Sequence, residues 1–381
     1  MSRRRRRPVG ARQVSVVPVT ARVVPIESVG ARLYGAWCEL AEWAAEPNPF
    51  HHPDLAVPGA RCLGDGGEAL LAVERGGELL GCLPVRPLRR WHGVPVHGIA
   101  SWRHDYCLLG TPLTRPDSLE MSARAMVGAL AGARCGGGLV ALEEMGGDGP
   151  VTGALVTAMA ERGLSRVEWE SHERPVLRCP DGGGTVPAAG GERIDRLARA
   201  RRALERTLGV AVRVVDRSED VAARERFLAL EAAGWKGRAG TAMACRPRHA
   251  DFFRATTAAF AARGRLQILS LEAGTRPIAM KWNLVAGGAV FHVKAAYDEG
   301  LSRYSPGAQL EVEAMGRFPS GGELWMDSCT DPGNVLLHSL WTERRRIATL
   351  LAGRGVVGRS SLAMLPPLRR LRRWQRTRAA A

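Results

Sequence analysis

The chain has 381 residues, 45% of them apolar and 24% charged, with a formal net charge of +16. That composition excludes a globally disordered chain, and no stretch approaches the roughly 20 uninterrupted apolar residues that a membrane-spanning helix needs. At roughly 150 residues per domain, the length suits about two domains. Only three of the 54 basic residues are lysine: Lys236, Lys281 and Lys294.

The charge is concentrated at the ends. Arg3 to Arg7 and Arg12 fall in the first twelve residues, and Arg369, Arg370, Arg372, Arg373, Arg376 and Arg378 in the last thirteen. No acid precedes Glu27 and none follows Glu343, so the body between these arms retains only +4. Such blocks read as solvated arms at 1–24 and 356–381. They suit an electrostatic anchor for RNA, DNA or anionic lipid, or equally reflect the arginine usage of a GC-rich coding sequence. Residues 365–378 place Leu368, Leu371 and Trp374 among arginines, the pattern of an interfacial helix. At about 1 kcal/mol per arginine near an anionic leaflet, six would anchor it reversibly. Arg12 and Arg22 interrupt what would have to be the apolar segment of a secretory signal. The eight cysteines are scattered without a C-x-x-C pair, so neither disulfides nor a metal site is expected. A reducing cytoplasm is the simplest compartment, with peripheral contact at the inner membrane face through the arms.

In chain order, residues 29–45 carry Leu33, Trp37, Leu40 and Ala44 at helical spacing. Segments 70–73 and 79–85 flank Gly76-Gly77 as a hairpin. A strand at 106–109, a turn at Gly110-Thr111-Pro112, a helix at 117–134, a strand at 139–142 and a helix at 151–162 follow. The Gly/Pro-rich stretch 181–191 marks a boundary before an arginine-rich helix at 192–207. A helix at 218–233 begins with Ser218, Glu219 and Asp220. Pro247 opens another, with Phe252, Thr256 and Phe260 on one face. Segments 266–271 and 278–284 form a second hairpin around Gly274. A strand at 290–295, a turn at Ser305-Pro306-Gly307, a helix at 308–317, a strand at 324–326, a turn at Pro332-Gly333 and a helix at 336–351 complete the chain. Both halves thus read helix, hairpin, strand, turn, helix, strand, helix, which predicts two similar α/β units at 25–185 and 192–355.

Several residue runs carry a family likeness. Gly234-Trp235-Lys236-Gly237 with Gly240-Thr241-Ala242, and Lys294 to Glu299 followed by Arg303-Tyr304-Ser305-Pro306-Gly307, resemble the GNAT acetyltransferases related to the cellulose-biosynthesis protein CelD. Trp102, Asp105, Tyr106 and Gly110 to Leu113 match in the first half, and Asp327, Asn334 and Trp341 are compatible. Such proteins are similar to the FemABX aminoacyl transferases in having tandem units. The resemblance implies an α/β (α+β) fold of two tandem GNAT-like units, mixed β-sheets flanked by helices, and an acyl-CoA co-substrate. The signature Q/R-x-x-G-x-G/A of that fold is absent as written.

Acyl transfer from a thioester to an amine needs phosphates held, an oxyanion stabilised and a proton moved. Ser305, Pro306, Gly307 and Ala308 form a turn feeding a helix, a cofactor-binding candidate because free amides and the helix dipole favour anions; an ordinary helix cap is the alternative. The strand at 290–295 would offer a backbone amide to the thioester carbonyl. Asp327, just after an apolar strand, is expected to be a partly buried base of raised pKa. Tyr304 would protonate the departing thiolate, and Asp298 is a further catalytic candidate, with Glu299 beside it read as solvated. Lys236, with Trp235 and Thr241 nearby, is a candidate for contact with an anionic substrate group. Lys294 is expected either to pair with an acid such as Asp327 or to line the pocket. His292, lone on its strand, reads as structural.

The leading expectation is an acyl-CoA-dependent N- or O-acyltransferase acting on a small molecule or glycan, in connection with polysaccharide biosynthesis. The alternatives are an aminoacyl-tRNA-dependent transferase, the one reading in which nucleic acid is a partner, and a membrane-associated scaffold without catalysis.

Overall fold

The computed structural model describes residues 17–132, 138–179, 191–318, 324–355, 358–360 and 362–365. The N-terminal arginine run, most of the expected boundary segment and the C-terminal tail from 366 lie outside the described residues.

The first half runs β1 (Val19–Pro25), α1 (Ala31–Glu42), α2 (Pro53–Leu63), β2 (Ala69–Arg75), β3 (Glu78–Trp91), β4 (Val94–Ser101), β5 (Leu113–Thr114), α3 (Leu119–Leu130), β6 (Leu139–Gly146), α4 (Pro150–Glu161) and β7 (Ser165–Arg178). The second runs α5 (Gly191–Leu208), β8 (Val212–Asp216), α6 (Val221–Ala233), α7 (Trp235–Arg238), α8 (Pro247–Ala262), β9 (Leu266–Ala273), β10 (Arg276–Ala286), β11 (Ala289–Tyr297), α9 (Pro306–Arg317), β12 (Trp325–Asp327), α10 (Val335–Leu340) and β13 (Glu343–Gly353). Local chemistry sets many of these bounds. Gly76-Gly77 and Gly287-Gly288 all have positive φ, which two-residue hairpin loops require. Asp220 caps α6 by accepting from Ala222 N at 2.9 Å, and Pro247 opens α8.

The strands join into one mixed sheet in the order β1-β2-β3-β4-β6-β13-β7-β12-β11-β10-β9-β8, with β5 on β3. Each half contains one parallel pair, β4 with β6 and β11 with β12. The halves are joined twice. β7 pairs with β12 at its end, and β13, last in sequence, inserts between β6 and β7 of the first half. Residues 343–353 therefore complete the first half's sheet, although the expected boundaries assign them to the second unit.

Three sequence expectations are corrected. The helix expected at 336–351 is only the six residues of α10, followed by β13. Residues 347–352 are buried between two strand neighbours, and a strand covered on both faces reads as a continuous apolar run that mimics a helix end. No strand forms at 106–109. Tyr106, Cys107 and Leu109 are apolar because they pack into a core shared with Phe252, Trp282 and Phe291 of the second half. The true strand is β4, whose Pro95 and Gly98 hide its pattern. Residues 19–24 of the expected arm form β1, where Arg22 pairs with Glu74 at 2.8 Å.

Candidate functional site

The candidate donor cleft is the place where the second parallel pair ends. β11 and β12 are hydrogen-bonded only over Ala289–Phe291 and Trp325–Asp327. Beyond Phe291, β11 continues along β10 with a bulge that leaves Val293 without an opposite residue. One edge of residues 292–297 thus lacks a strand neighbour and opens beside α9. Bulges of this kind redirect backbone groups. The chain then turns through Asp298 and reaches Ser305, which sits in the left-handed region at φ 54°. Pro306 starts α9, and the amides of Gly307 and Ala308 precede the first helical bond, Gln309 N to Ser305 O at 3.0 Å. The first turn of α9 holds no acid, and Ser305 makes no side-chain cap, so this helix start suits an anion. A Cβ at Gly307 would meet the Tyr297 ring at 3.5 Å, an ordinary contact.

The three expected catalytic residues are all engaged elsewhere. Asp327 is fully buried; Arg174 Nη2 and Arg345 Nη1 donate to its Oδ2 at 2.7 and 2.8 Å, and Cys329 N donates to Oδ1 at 2.9 Å. Burial alone raises its pKa, but the two guanidiniums outweigh that and hold it below the usual value. The expectation of a base with raised pKa is thereby corrected: Asp327 fastens β12 to β7 and β13. Tyr304 is buried, with its hydroxyl 2.8 Å from Thr207 of α5 and Arg303 stacked 4.6 Å over its ring. Asp298 accepts from Gly300 N at 2.9 Å and pairs with Arg276, so it caps a turn. Glu299, expected to be solvated, accepts from Trp235 N at 2.5 Å and Arg238 Nη2 at 2.6 Å. It thereby joins the 234–238 loop to the turn before α9.

Lys236 and Lys294 come together on a residue that sequence reasoning missed. Glu231 of α6 is 3% exposed. Its Oε1 lies 2.9 Å from Lys294 Nζ and 3.6 Å from Lys236 Nζ, while its Oε2 accepts from Met243 N at 2.8 Å. Lys294 thus pairs with Glu231 and not with Asp327. Two ammoniums share one carboxylate, and burial, followed by the like charge of Lys294, lowers the pKa of Lys236. Lys294 Nζ also sits 5.2 Å over the Tyr106 ring, and the Tyr106 hydroxyl is 2.8 Å from His249 Nδ1. Tyr106 stacks on Phe252 at 5.1 Å, and burial followed by Glu231 pushes its pKa up. Trp235 is 55% exposed beside Lys236, and Thr241 Oγ1 donates to Lys236 O at 3.3 Å, closing the loop on itself. His292 Nδ1 lies 3.1 Å from Asn283 Oδ1, and burial, then Lys281 and Lys236, keep the ring neutral. One signal did point to Glu231: it is an acid on the same helical face as Phe227 and Leu228, and all three are buried.

This architecture has known counterparts. Residues 192–332 match the family model described as an acetyltransferase (GNAT) domain. The fold is that of the GNAT acyltransferases. Among solved structures, the C-terminal domain of a putative lysylphosphatidylglycerol synthetase from Agrobacterium fabrum is 13% identical, with a TM-score of 0.52 over 88% of this chain and 95% of that one. FemX is 9% identical, with a TM-score of 0.52 over 83% and 95%. A conserved protein of unknown function from Bacteroides thetaiotaomicron is 9% identical, with a TM-score of 0.53 over 88% and 99%. At these identities the likeness is one of fold. No curated protein matches the chain. Among the described residues, no helix is long and apolar enough to cross a membrane and no side-chain group is arranged to hold a metal ion.

Proposed function

We propose that the chain is an acyl-CoA-dependent transferase that acylates an amine or hydroxyl of a small molecule or glycan through the cleft of its second half. The observation that carries this reading is the parting of β11 from β12 after Phe291, directly ahead of the start of α9. The donor's phosphates would rest on the amides of Gly307 and Ala308. Its thioester carbonyl would accept from the backbone of β11 near the Val293 bulge, the geometry an oxyanion requires. The acceptor nitrogen then bonds to the carbonyl carbon, the C–S bond breaks, and the proton lost by nitrogen ends on the CoA thiolate. Lys236, whose ammonium is disfavoured by burial and by Lys294, is the group best suited to receive that proton first. The likeness of segments 234–242 and 294–307 to CelD-related acetyltransferases supports this reading and a link to polysaccharide chemistry.

The test is thermal melting of the full chain with a panel of CoA thioesters. A rise in melting temperature is expected, retained in Gly307→Ala and abolished in Gly307→Trp, which blocks the turn. No shift with any thioester, together with salt-sensitive tRNA binding, would replace this reading with the aminoacyl-tRNA one.

A further inference from the structure

The seam between the halves holds an open cavity of about 500 Å³, the size range of small-molecule sites. Four arginines converge on it. Arg86 comes from within β3 and Arg103 from the segment after β4, and Arg246 and Arg248 from the start of α8 in the second half.

Several arginines of this chain pair with a carboxylate through two bonds, as in Arg22 with Glu74, Arg124 with Glu161 and Arg254 with Glu225. At the cavity, Arg248 donates to Gly64 O at 3.1 Å, Arg246 to Gly240 O at 3.3 Å and Arg103 to Cys107 O at 3.2 Å. These acceptors are neutral carbonyls; Glu144 is 4.0 Å from Arg103, and the largely buried Glu143 carboxylate is influenced by both Arg103 and Arg86. Arg86 Nε is buried with no hydrogen-bond partner. Three carboxylates share the lining, but Glu68 is turned to the amides of Asp65 and Gly66 at 2.7 and 3.1 Å. Arg246 and Arg248, held by neutral acceptors beside an open volume, are poised for an anion, and a guanidinium fork fits phosphate or carboxylate. The remaining acids, Asp65 and Asp105, suit an ammonium on the same molecule.

The cavity wall touches the candidate site through side chains. His249 is part of its wall and reaches, through the Tyr106 hydroxyl, the ring beneath Lys294. We infer that the acyl acceptor binds in this seam cavity and carries an anionic group, phosphate or carboxylate, beside the amine that is acylated. The acceptor role rests on the acyltransferase reading above, whereas the anion site does not.

The two are tested separately by calorimetry and melting of the full chain with O-phosphoethanolamine, β-alanine and ethanolamine. The first two are expected to bind and ethanolamine to bind far more weakly. The stronger of the two names the anion. The Arg86→Gln/Arg248→Gln variant is expected to lose about tenfold or more of that affinity, while a retained acyl-CoA melting shift shows that it is folded. Gly307→Trp, which blocks the donor turn, is expected to bind the anionic amines undiminished. Equal binding of all three amines, or undiminished binding by the double arginine variant, would overturn the inference. Arginine-dependent binding without any response to CoA thioesters would uphold the anion site and sink the acyltransferase reading instead.

Discussion

The two halves share one plan and differ at the one point where chemistry is proposed. Each has a parallel strand pair followed or preceded by a helix, but the pairs part differently. In the first half β4 stops at Ser101 while β6 runs on, and the space is filled by residues 102–112. Glu143 N donates to Ser101 Oγ at 2.9 Å, Gly110 N to Glu144 O at 2.8 Å and Gly146 N to Thr111 Oγ1 at 2.9 Å. Asn48 Nδ2 adds bonds to the Leu109 and Thr111 carbonyls at 3.1 and 2.7 Å. A Cβ on Gly110 would lie 1.9 Å from Glu143 O, so the chain is pressed onto the strand. In the second half it is β12 that stops, and among the described residues no hydrogen-bonded plug of this kind covers the edge of β11 beside α9. One frame thus gives a sealed pair that serves as scaffold and an open pair that can admit a donor.

The widest expected contrast is between the two turns: Gly307→Trp removes the donor response completely, and the first half has no position with that effect. Next in size is the bond that holds the halves together. Asp327→Ala leaves Arg174 buried without a carboxylate and Arg345 with only Glu46 at 3.4 Å, and chemical denaturation is expected to show a loss of about 3–5 kcal/mol. The pH dependence has a fixed sign. Because the folded pKa of Asp327 lies below its unfolded value, its contribution is present above the usual aspartate pKa of about 3.9. It is lost as pH falls through the lower folded value. A wild-type stability that does not drop below pH 4 relative to Asp327→Ala would contradict this role.

Lys236→Met comes third. Removal of a group that accepts a proton in the transition state is expected to lower kcat by about a hundredfold or more. Lys236→Arg keeps the charge but cannot deprotonate, so it should lose the rise of kcat/KM with pH that the lysine gives. A role limited to pairing with Glu231 predicts instead that arginine restores the rate at every pH.

Legibility in the sequence followed the range of the interactions. Hairpins at Gly76-Gly77 and Gly274, the helix opened by Pro247 and the turn at Ser305 to Gly307 are local, and the residues alone mark them. β13 resembles a helix in sequence because its neighbours, β6 and β7, lie some 170 to 210 residues earlier in the chain, and nothing local distinguishes a doubly covered strand from a buried helix end. Among site residues, the rarity of lysine singled out Lys236 and Lys294. Their shared partner Glu231 and the Tyr106–His249 contact arise only when α6, α8 and the first half meet, and Asp327 was misjudged because its two guanidiniums come from β7 and β13.

The smallest predicted effect tests the sealed half directly. Thr111→Val keeps the shape of the side chain but withdraws the acceptor for Gly146 N, a buried amide. An unsatisfied buried donor costs about 1–3 kcal/mol, read as a lower denaturation midpoint with an unchanged slope. If residues 102–112 are only a plug, the acyl-CoA melting shift should keep its size in this variant. A shift that shrinks in proportion to the lost stability would mean that the first half's pair also takes part in holding the donor, and the division between scaffold and open cleft would not stand.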